Sequence, residues 1–369
     1  MNFSCDKTTL ADSLSAVTRA INSKSGMPIL EGVLIKANKE TKILELIGYD
    51  LELSIKTSLE CLATESGNLV VDARLLFDII KKMPKGKVTF SLEDKENLKI
   101  KAGSAEFSVT GFKAEDYPNL PEISGGKNLT IKSTVLKNMV SKTLFAAALS
   151  GSKIVHTGLF FDIIGNDLNV VAVDGFRLAL QKEKIDNSEN FSFVIPAKNI
   201  NEVVKLIGDD EDVDIILSPK HIIFKTEKFS IISRLLEGEF MDYKNAIPKE
   251  GNIEILVKTR DFLECAERIS LVVTEQERSP LKIIFDENEI NFSCITTKGR
   301  GVDSISAKIE GERLEIGVNS KLLCEALRVI EDDEIKITMQ SNISPLKITA
   351  TNGEDYTYLV LPVRLTAGI

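Results

Sequence analysis

One helical pattern of charges occurs three times in this chain, about 124 residues apart. Arg74, Asp78 and Lys81 form the first copy, Lys198, Glu202 and Lys205 the second, and Lys321, Glu325 and Arg328 the third. Each copy reads basic, acidic, basic at offsets of about zero, four and seven, which keeps all three side chains on one face of a 3.6-residue helix. Apolar stripes run along the other side: Leu75, Leu76, Ile79, Ile80 and Met83; Ile200, Val203, Val204 and Ile207; Leu322, Leu323, Ala326, Leu327 and Ile330. Asp72, Pro196 in a first-turn position, and Asn319 mark the helix starts. A single triplet reads as a solvated face braced by ion pairs at helical spacing. Three in register make the chain a threefold repeat, and they put a shared role for the cations ahead of that plainer reading.

The surroundings of each charged helix repeat as well. Each unit opens with a strand and a first helix: residues 2–5 with Leu10, Leu14, Val17 and Ile21; 129–131 with Val135, Leu136, Met139 and Val140; 253–257 with Phe262, Leu263, Ala266 and Ile269. Alternating strands follow around 32–37, 158–163 and 281–285, and more strands close each unit near 107–109, 229–232 and 356–361. Two helices among strands joined by short turns predict an α+β fold with antiparallel sheets. Pro118, Pro121 and Gly125-Gly126 break the first join, Pro248 and Gly251 the second. The expected domains are 1–122, 128–248 and 252–369, each large enough for its own core.

With 43% hydrophobic and 27% charged residues the chain has the make-up of a soluble globular protein. No apolar run reaches the roughly 20 residues of a membrane span, and no signal-peptide pattern opens the sequence. Five scattered cysteines, an odd number, predict free thiols and a reducing, cytoplasmic setting. The net charge of −9 argues against a nucleic-acid partner unless the cations are gathered on one face.

Catalytic patterns are missing. His156 and His221 have no Cys or carboxylate at metal-ligand spacing, so no metal and no cofactor is expected. Gly299 and Gly301 lack the third glycine and the context of a dinucleotide loop. The acidic run 209–212 returns at 331–334, but residues 85–87 read Lys-Gly-Lys at the same turn, so a solvated turn outranks a cation site. No catalytic residue is assigned. A hydrolase or transferase with dispersed catalytic residues, tested by mutating Asp174 or Arg177, and a scaffold that binds only proteins, are the rival readings.

Residues 171–179, Val-Ala-Val-Asp-Gly-Phe-Arg-Leu-Ala, resemble the central signature of the bacterial sliding clamps, the β subunits of DNA polymerase III. Further segments agree in order and spacing: 27–30 (Met-Pro-Ile-Leu), 116–120 (Asp-Tyr-Pro-Asn-Leu), 237–243 (Glu-Gly-Glu-Phe-Met-Asp-Tyr) and 361–365 (Leu-Pro-Val-Arg-Leu). The resemblance covers the whole chain. It implies three tandem clamp domains, two helices packed on antiparallel sheets in each, closing as a head-to-tail homodimer around duplex DNA. It implies no catalysis. The implied role is to tether the replicative polymerase and other DNA-processing proteins and so to confer processivity.

Site residues follow by matching the family's motifs. Arg74, Lys81, Lys198, Lys205, Lys321 and Arg328 would face DNA, with Arg19, Lys24 and Lys137 as lesser candidates, and Asp78, Glu202 and Glu325 would moderate the attraction. The resemblance also implies a groove for short peptides of the polymerase α subunit, the clamp loader and repair polymerases. Its lining would be Val173, Gly175, Phe176, Arg177, Leu178, Met241, Ala246, Asn319, Leu322, Ile343, Pro345, Val360, Leu361, Pro362, Val363 and Arg364. Taken singly these residues also read as interdomain core. The family often carries Thr and His where Val173 and Phe176 stand, and Pro where Met241 stands, so a greasier groove is expected here. Residues 366–369 extend past the usual end. Phe107, Leu271 and Val272 match the dimer joint, though apolar residues at strand and helix ends also fit ordinary core.

Overall fold

The chain folds as three successive turns of one α+β plan. The computed structural model describes all residues except Ser23, Lys95, Ser124, Ser152, 274–278 and 366–369. The first repeat runs β1 (Asn2–Asp6), α1 (Lys7–Val17), β2 (Gly32–Asn38), β3 (Ile43–Tyr49), β4 (Leu53–Glu60), β5 (Leu62–Glu65) and β6 (Gly67–Asp72). It continues with α2 (Ala73–Lys82), β7 (Lys87–Leu92), β8 (Asn97–Ala102) and β9 (Ala105–Thr110). The second runs β10 (Lys127–Lys132), α3 (Ser133–Ser141), β11 (Gly158–Ile164), β12 (Asp167–Val173), β13 (Arg177–Lys184) and β14 (Asn190–Pro196). Then come α4 (Ala197–Leu206), β15 (Asp212–Leu217), β16 (His221–Lys225) and β17 (Phe229–Arg234), with a short α5 (Tyr243–Ala246) in the join. The third holds β18 (Ile253–Lys258), α6 (Thr259–Ser270), β19 (Leu281–Asp286), β20 (Glu289–Thr296), β21 (Gly299–Ser306) and β22 (Lys308–Glu310). It closes with β23 (Leu314–Val318), α7 (Ser320–Leu327), β24 (Glu334–Met339), β25 (Leu346–Ala350), β26 (Tyr356–Val360) and β27 (Pro362–Val363).

The strands form four sheets, and two of them cross the borders between repeats. In the order β10-β15-β16-β17-β4-β3-β2-β6, the second repeat's β17 hydrogen-bonds to the first repeat's β4, with Ile231 opposite Ile55. In the order β14-β11-β12-β13-β26-β25-β24-β18-β22, β13 takes β26, with Leu178 opposite Leu359. The other two sheets, β5-β1-β7-β8-β9 and β21-β20-β19-β23-β27, stay within the first and third repeats. The middle repeat is thereby shared between two compact units, Met1–Thr134 with Asn199–Leu235 and Val135–Lys198 with Leu236–Ile369.

Within the first unit α1 packs on α2 and on β3 and β4. Asp6 caps α1, its Oδ1 accepting the N–H groups of Thr8 at 2.8 Å and Thr9 at 3.0 Å, and Leu10, Leu14 and Val17 are buried beneath it. In the second unit α6 packs on α7, with Phe262, Cys265, Ala266 and Ile269 inward. None of the five cysteines forms a disulfide, and all are buried. Burial pushes the Cys5 and Cys265 thiols up to about 12, so the reactive thiolate is scarce at neutral pH.

All three charged helices form where the sequence places them, with differences on their apolar sides. Asp72 caps α2, Oδ1 accepting the Leu75 N–H at 2.6 Å, and Asn319 caps α7, Oδ1 accepting from Lys321 at 3.0 Å. Pro196 instead ends β14, and α4 begins at Ala197. Leu75, expected in the buried stripe, is 49% exposed, because Ala73, Leu76, Ile79 and Ile80 centre that stripe and Leu75 falls about 100° round from Leu76. Leu322, Val204 and Ile330 are only half-buried. Asn199 was not expected in the core, yet it is buried, donating to Ser233 Oγ at 2.9 Å and so satisfying its amide.

Gly48 on β3 leaves no room for a side chain: a Cβ there would lie 2.2 Å from the Val17 carbonyl oxygen at the end of α1. Gly48→Ala should therefore lower stability by about 2 kcal/mol or more, since backbone must move to admit the methyl group. Urea unfolding checks this, and an unchanged midpoint would contradict the close approach.

Candidate functional site

Two sets of residues deserve description from the side chains upward, the cationic helices and the apolar surface around Phe176. On α2, Arg74, Asp78 and Lys81 are exposed, and the Lys81 ammonium sits 5.6 Å from the Phe77 ring centre. On α4, Lys198 and Lys205 are exposed. Glu202 accepts from Lys205 Nζ at 2.9 Å and from Arg19 at 2.8 Å. Its burial acts to raise its pKa, but the bonds from Lys205 and Arg19 outweigh that and hold the carboxyl below the usual range. Lys321 on α7 and Arg328, which caps its C-terminal end, are exposed, and Arg328 grips Glu267 of α6 through Nε at 2.9 Å and a terminal nitrogen at 2.7 Å. Lys24 is exposed and Lys137 half-buried. The three central carboxylates thus differ. Glu202 meets a cation of its own helix, Asp78 stands exposed, and Glu325 reaches away to Arg177.

That Arg177 contact belongs to the second set. Between β12 and β13 the chain reverses at residues 174–177, where Asp174 Oδ1 accepts the N–H groups of Phe176 at 2.9 Å and Arg177 at 3.0 Å. Gly175 sits at φ +90°, in the left-handed region that side chains other than glycine rarely adopt. The turn leaves Phe176 64% exposed. Arg177 is buried, its Nε donating to Asp174 Oδ2 at 2.9 Å, a terminal nitrogen to Glu325 Oε2 at 2.5 Å, and its guanidinium lying 5.2 Å from the Phe145 ring centre. Asp174 thus holds the turn, and Arg177 ties it to α7 through Glu325.

Sheet pairing assembles the rest. Arg177 lies opposite Val360, the Leu361 N–H donates to the Phe176 carbonyl at 2.9 Å, and Pro362 and Val363 pair with Val318 and Gly317 of β23. Asn319 and the half-buried Leu322 follow directly on β23. Leu346 is opposite Val360, which brings Pro345 and the 82% exposed Ile343 alongside. Val173 and Leu178 are buried in a cluster with Val155, Phe240, Tyr243 and Leu359, against which Met241 and Ile247 pack. Ala246 is half-buried in α5, Leu361 and Val363 are exposed by 39% and 38%, and Arg364 is exposed. The result is an apolar surface with a packed floor, where Val173, Leu178 and Leu359 are floor and Phe176, Ile343, Leu361 and Val363 are exposed, while Val360, opposite Arg177 and Leu346, is buried on the other face of the sheet.

Sequence reasoning passed over Val155, Phe240 and Tyr243, which support that floor. Phe240 stacks on Phe160 with ring centres 4.7 Å apart, and Tyr243 donates its hydroxyl to Asp162 at 2.7 Å. The aromatic residues of 237–243 were a visible signal, although their partners lie about 80 residues earlier. Leu149, fully exposed, was likewise not singled out. Phe107 on β9 is 43% exposed, Leu271 85% exposed and Val272 half-buried, while residues 366–369 lie outside the described residues. His156 and His221 are each held below the ordinary imidazole range, chiefly by burial. The acidic turn after α4 is used internally, Asp212 pairing with Lys132 at 2.9 Å and Glu211 accepting from the Gly208 N–H. No helix among the described residues is long and apolar enough to cross a membrane.

Comparison with known proteins bears on both sets. Family models for the N-terminal, central and C-terminal domains of the DNA polymerase III beta subunit match residues 1–121, 130–242 and 244–364. The beta sliding clamp of Bacillus subtilis (strain 168) is 32% identical over 378 residues, covering 99% of this chain and all of the relative. That of Staphylococcus aureus (strain N315) is 30% identical over 376 residues, covering 99% of each. Among solved structures, the DNA polymerase sliding clamp from Bacillus subtilis superposes with a TM-score of 0.96 at 31% identity, covering 99% of this chain and 100% of that one. The DNA polymerase III subunit beta from Pseudomonas aeruginosa gives 0.94 at 26%, with the same coverage. Three tandem clamp domains on one plan and these full-length likenesses agree: the chain belongs to the DNA polymerase III beta subunit family, the beta sliding clamps, and is a non-catalytic processivity factor.

Proposed function

We propose that two copies of this chain close head to tail into a ring around duplex DNA, and that the surface around Phe176 holds short peptides of partner proteins. The observation that carries the ring is a pair of open sheet edges. Within one chain β4 takes β17 and β13 takes β26. The repeat leaves over β21, the third counterpart of β4 and β13, and β9, the first counterpart of β17 and β26. Among the described residues each has a neighbouring strand on one side only. An open edge is a template for another strand, and two copies joined β9 to β21 twice leave neither edge open. Exposed Phe107 on β9, Val302 on β21 and Leu271 after α6 supply apolar area for the joint.

The DNA-facing set is Arg74, Lys81, Lys198, Lys205, Lys321 and Arg328, with Arg19, Lys24 and Lys137 in support. Their recurrence on one helix face per repeat favours a role in meeting the polyanion despite the net charge of −9. Arg19 and Arg328 already hold Glu202 and Glu267, so they reach a phosphate only by exchanging partners. Contacts to phosphate are independent of base sequence and weaken with salt, which suits a ring that slides and is retained by enclosure.

For the peptide site, the clustering of exposed apolar side chains over a packed floor carries the reading. Burying roughly 300 Å² of apolar peptide at about 25 cal/mol per Å² gives about 7 kcal/mol before ordering costs, so micromolar binding and rapid exchange are expected. The proposed owners of such peptides are the polymerase α subunit, the clamp loader and repair polymerases, in the cytoplasm.

Three outcomes test these readings. Phe107→Ala with Leu271→Ala should shift sedimentation from dimer toward monomer, and a double variant still running wholly as a dimer would reject the joint. Rings loaded on nicked circular DNA should withstand salt that abolishes direct contact yet leave once the circle is linearised; release by salt alone would contradict enclosure. Leu361→Lys should weaken an anchor peptide ending in Leu and Phe by about tenfold while leaving the dimer intact, because it sets a charge on the apolar rim. Unchanged affinity in a titration would overturn the placement.

A further inference from the structure

The sheet face that floors the apolar surface does not end with it. Side chains on one face of a strand recur every second residue, so on β13 the series Leu178, Leu180, Lys182 runs from the floor into a cavity of about 570 Å³. On β12 the series Val173, Val171, Asn169, Asp167 runs the same way, with Val171 opposite Leu180 and Asn169 opposite Lys182. Lys347 is in the same row, opposite Leu359, which is opposite Leu178. The segment that carries Tyr243, Ile247 and Pro248 borders both ends: Tyr243 and Ile247 pack on the floor cluster and also line the cavity.

The cavity is cationic. Lys182, Lys244, Lys249 and Lys347 line it against two carboxylates, Asp167 and Glu354, and Lys244 is paired with a third, Asp162, at 3.0 Å. Glu354 is shared by Lys347 at 2.8 Å and Lys182 at 3.6 Å, and Asp167 is engaged by Lys184 at 2.5 Å. Lys347 is buried, its ammonium donating to Glu354 and, at 3.4 Å, to the Pro248 carbonyl, two acceptors for a group with three donors. Lys249 is exposed at the mouth.

We infer that this cavity is a second subsite that takes the carboxylates of acidic residues flanking the apolar anchor of a groove-bound peptide. The inference rests on the peptide reading above and adds a charge requirement to it. From Leu178 to Lys182 is four strand residues, about 13 Å at about 3.3 Å each. An extended peptide spans the same distance in about four residues, so the acid belongs about four residues from the anchor. Val171 and Leu180 are buried in the floor cluster, and the Tyr243–Ile247 border shared by that cluster and the cavity favours a peptide side chain over a free anion as the occupant.

The experiment uses the full chain and three peptides with one Leu-Phe anchor: an Asp-Glu pair about four residues before it, the same pair about four residues after it, and a Ser-Gln control. One acidic peptide should bind about fivefold tighter than the control at low salt, the size of a partly screened ion pair. That gain should vanish in the Lys182→Gln, Lys249→Gln double variant, whose affinity for the control peptide stays unchanged. Absence of any gain, or a gain that survives the double variant, overturns the subsite while leaving the groove standing. Failure of all three peptides to bind overturns the groove and the subsite together. Pyrophosphate bound at Lys182 and Lys249 by NMR, without any gain for an acidic peptide, overturns the peptide occupant in favour of a free anion.

Discussion

Hydrogen bonding across the borders between repeats is the constraint on which the rest depends. Among the described residues each repeat makes two groups of four or five strands, and neither group is closed on itself. Pairing β17 with β4 and β26 with β13 turns separate repeats into continuous antiparallel sheets, so the middle repeat is divided between two compact units. The same pairing sets the apolar surface in place: residues 174–178 and 360–363 are nearly 200 positions apart in sequence yet adjacent in register, with the Leu361 N–H bonded to the Phe176 carbonyl. The surface is a by-product of how repeats join.

Arg177 links that surface to the charged helices. Its guanidinium bridges Asp174 in the turn and Glu325 on α7, the helix whose Lys321 and Arg328 form the third cationic ridge. A carboxylate that local spacing assigns to its helical neighbours is therefore drawn off by a partner 148 residues away. Leaving either acid without the arginine would strand a partly buried charge, which is costly. Apparent surface patterning on α7 is in part structural wiring.

What the sequence made legible was local and periodic. Charge triplets, capping residues at Asp72 and Asn319, and the strand–helix rhythm of each repeat all depend on neighbours within a few positions. Leu75 was misjudged because a five-residue stripe cannot tell its edge from its centre. Asn199 was missed because its partner Ser233 arrives only with the fold. The residues proposed for a peptide surface were reachable only through likeness to the sliding clamps, since Val173 or Leu178 alone is indistinguishable from core. Val155 and Tyr243 escaped for the same reason, their contacts being made across the sheet face rather than along the chain.

The proposed ring rests on arithmetic on strands: three repeats, two internal joins, and therefore one edge of each kind left open at β9 and β21. Amide hydrogen exchange at those two strands, followed over a dilution series, tests this most directly. Slow exchange at 105–110 and 299–306 at high concentration, lost at both strands together as copies separate, is the predicted result. Fast exchange at both edges in a sample that is wholly dimeric would contradict it.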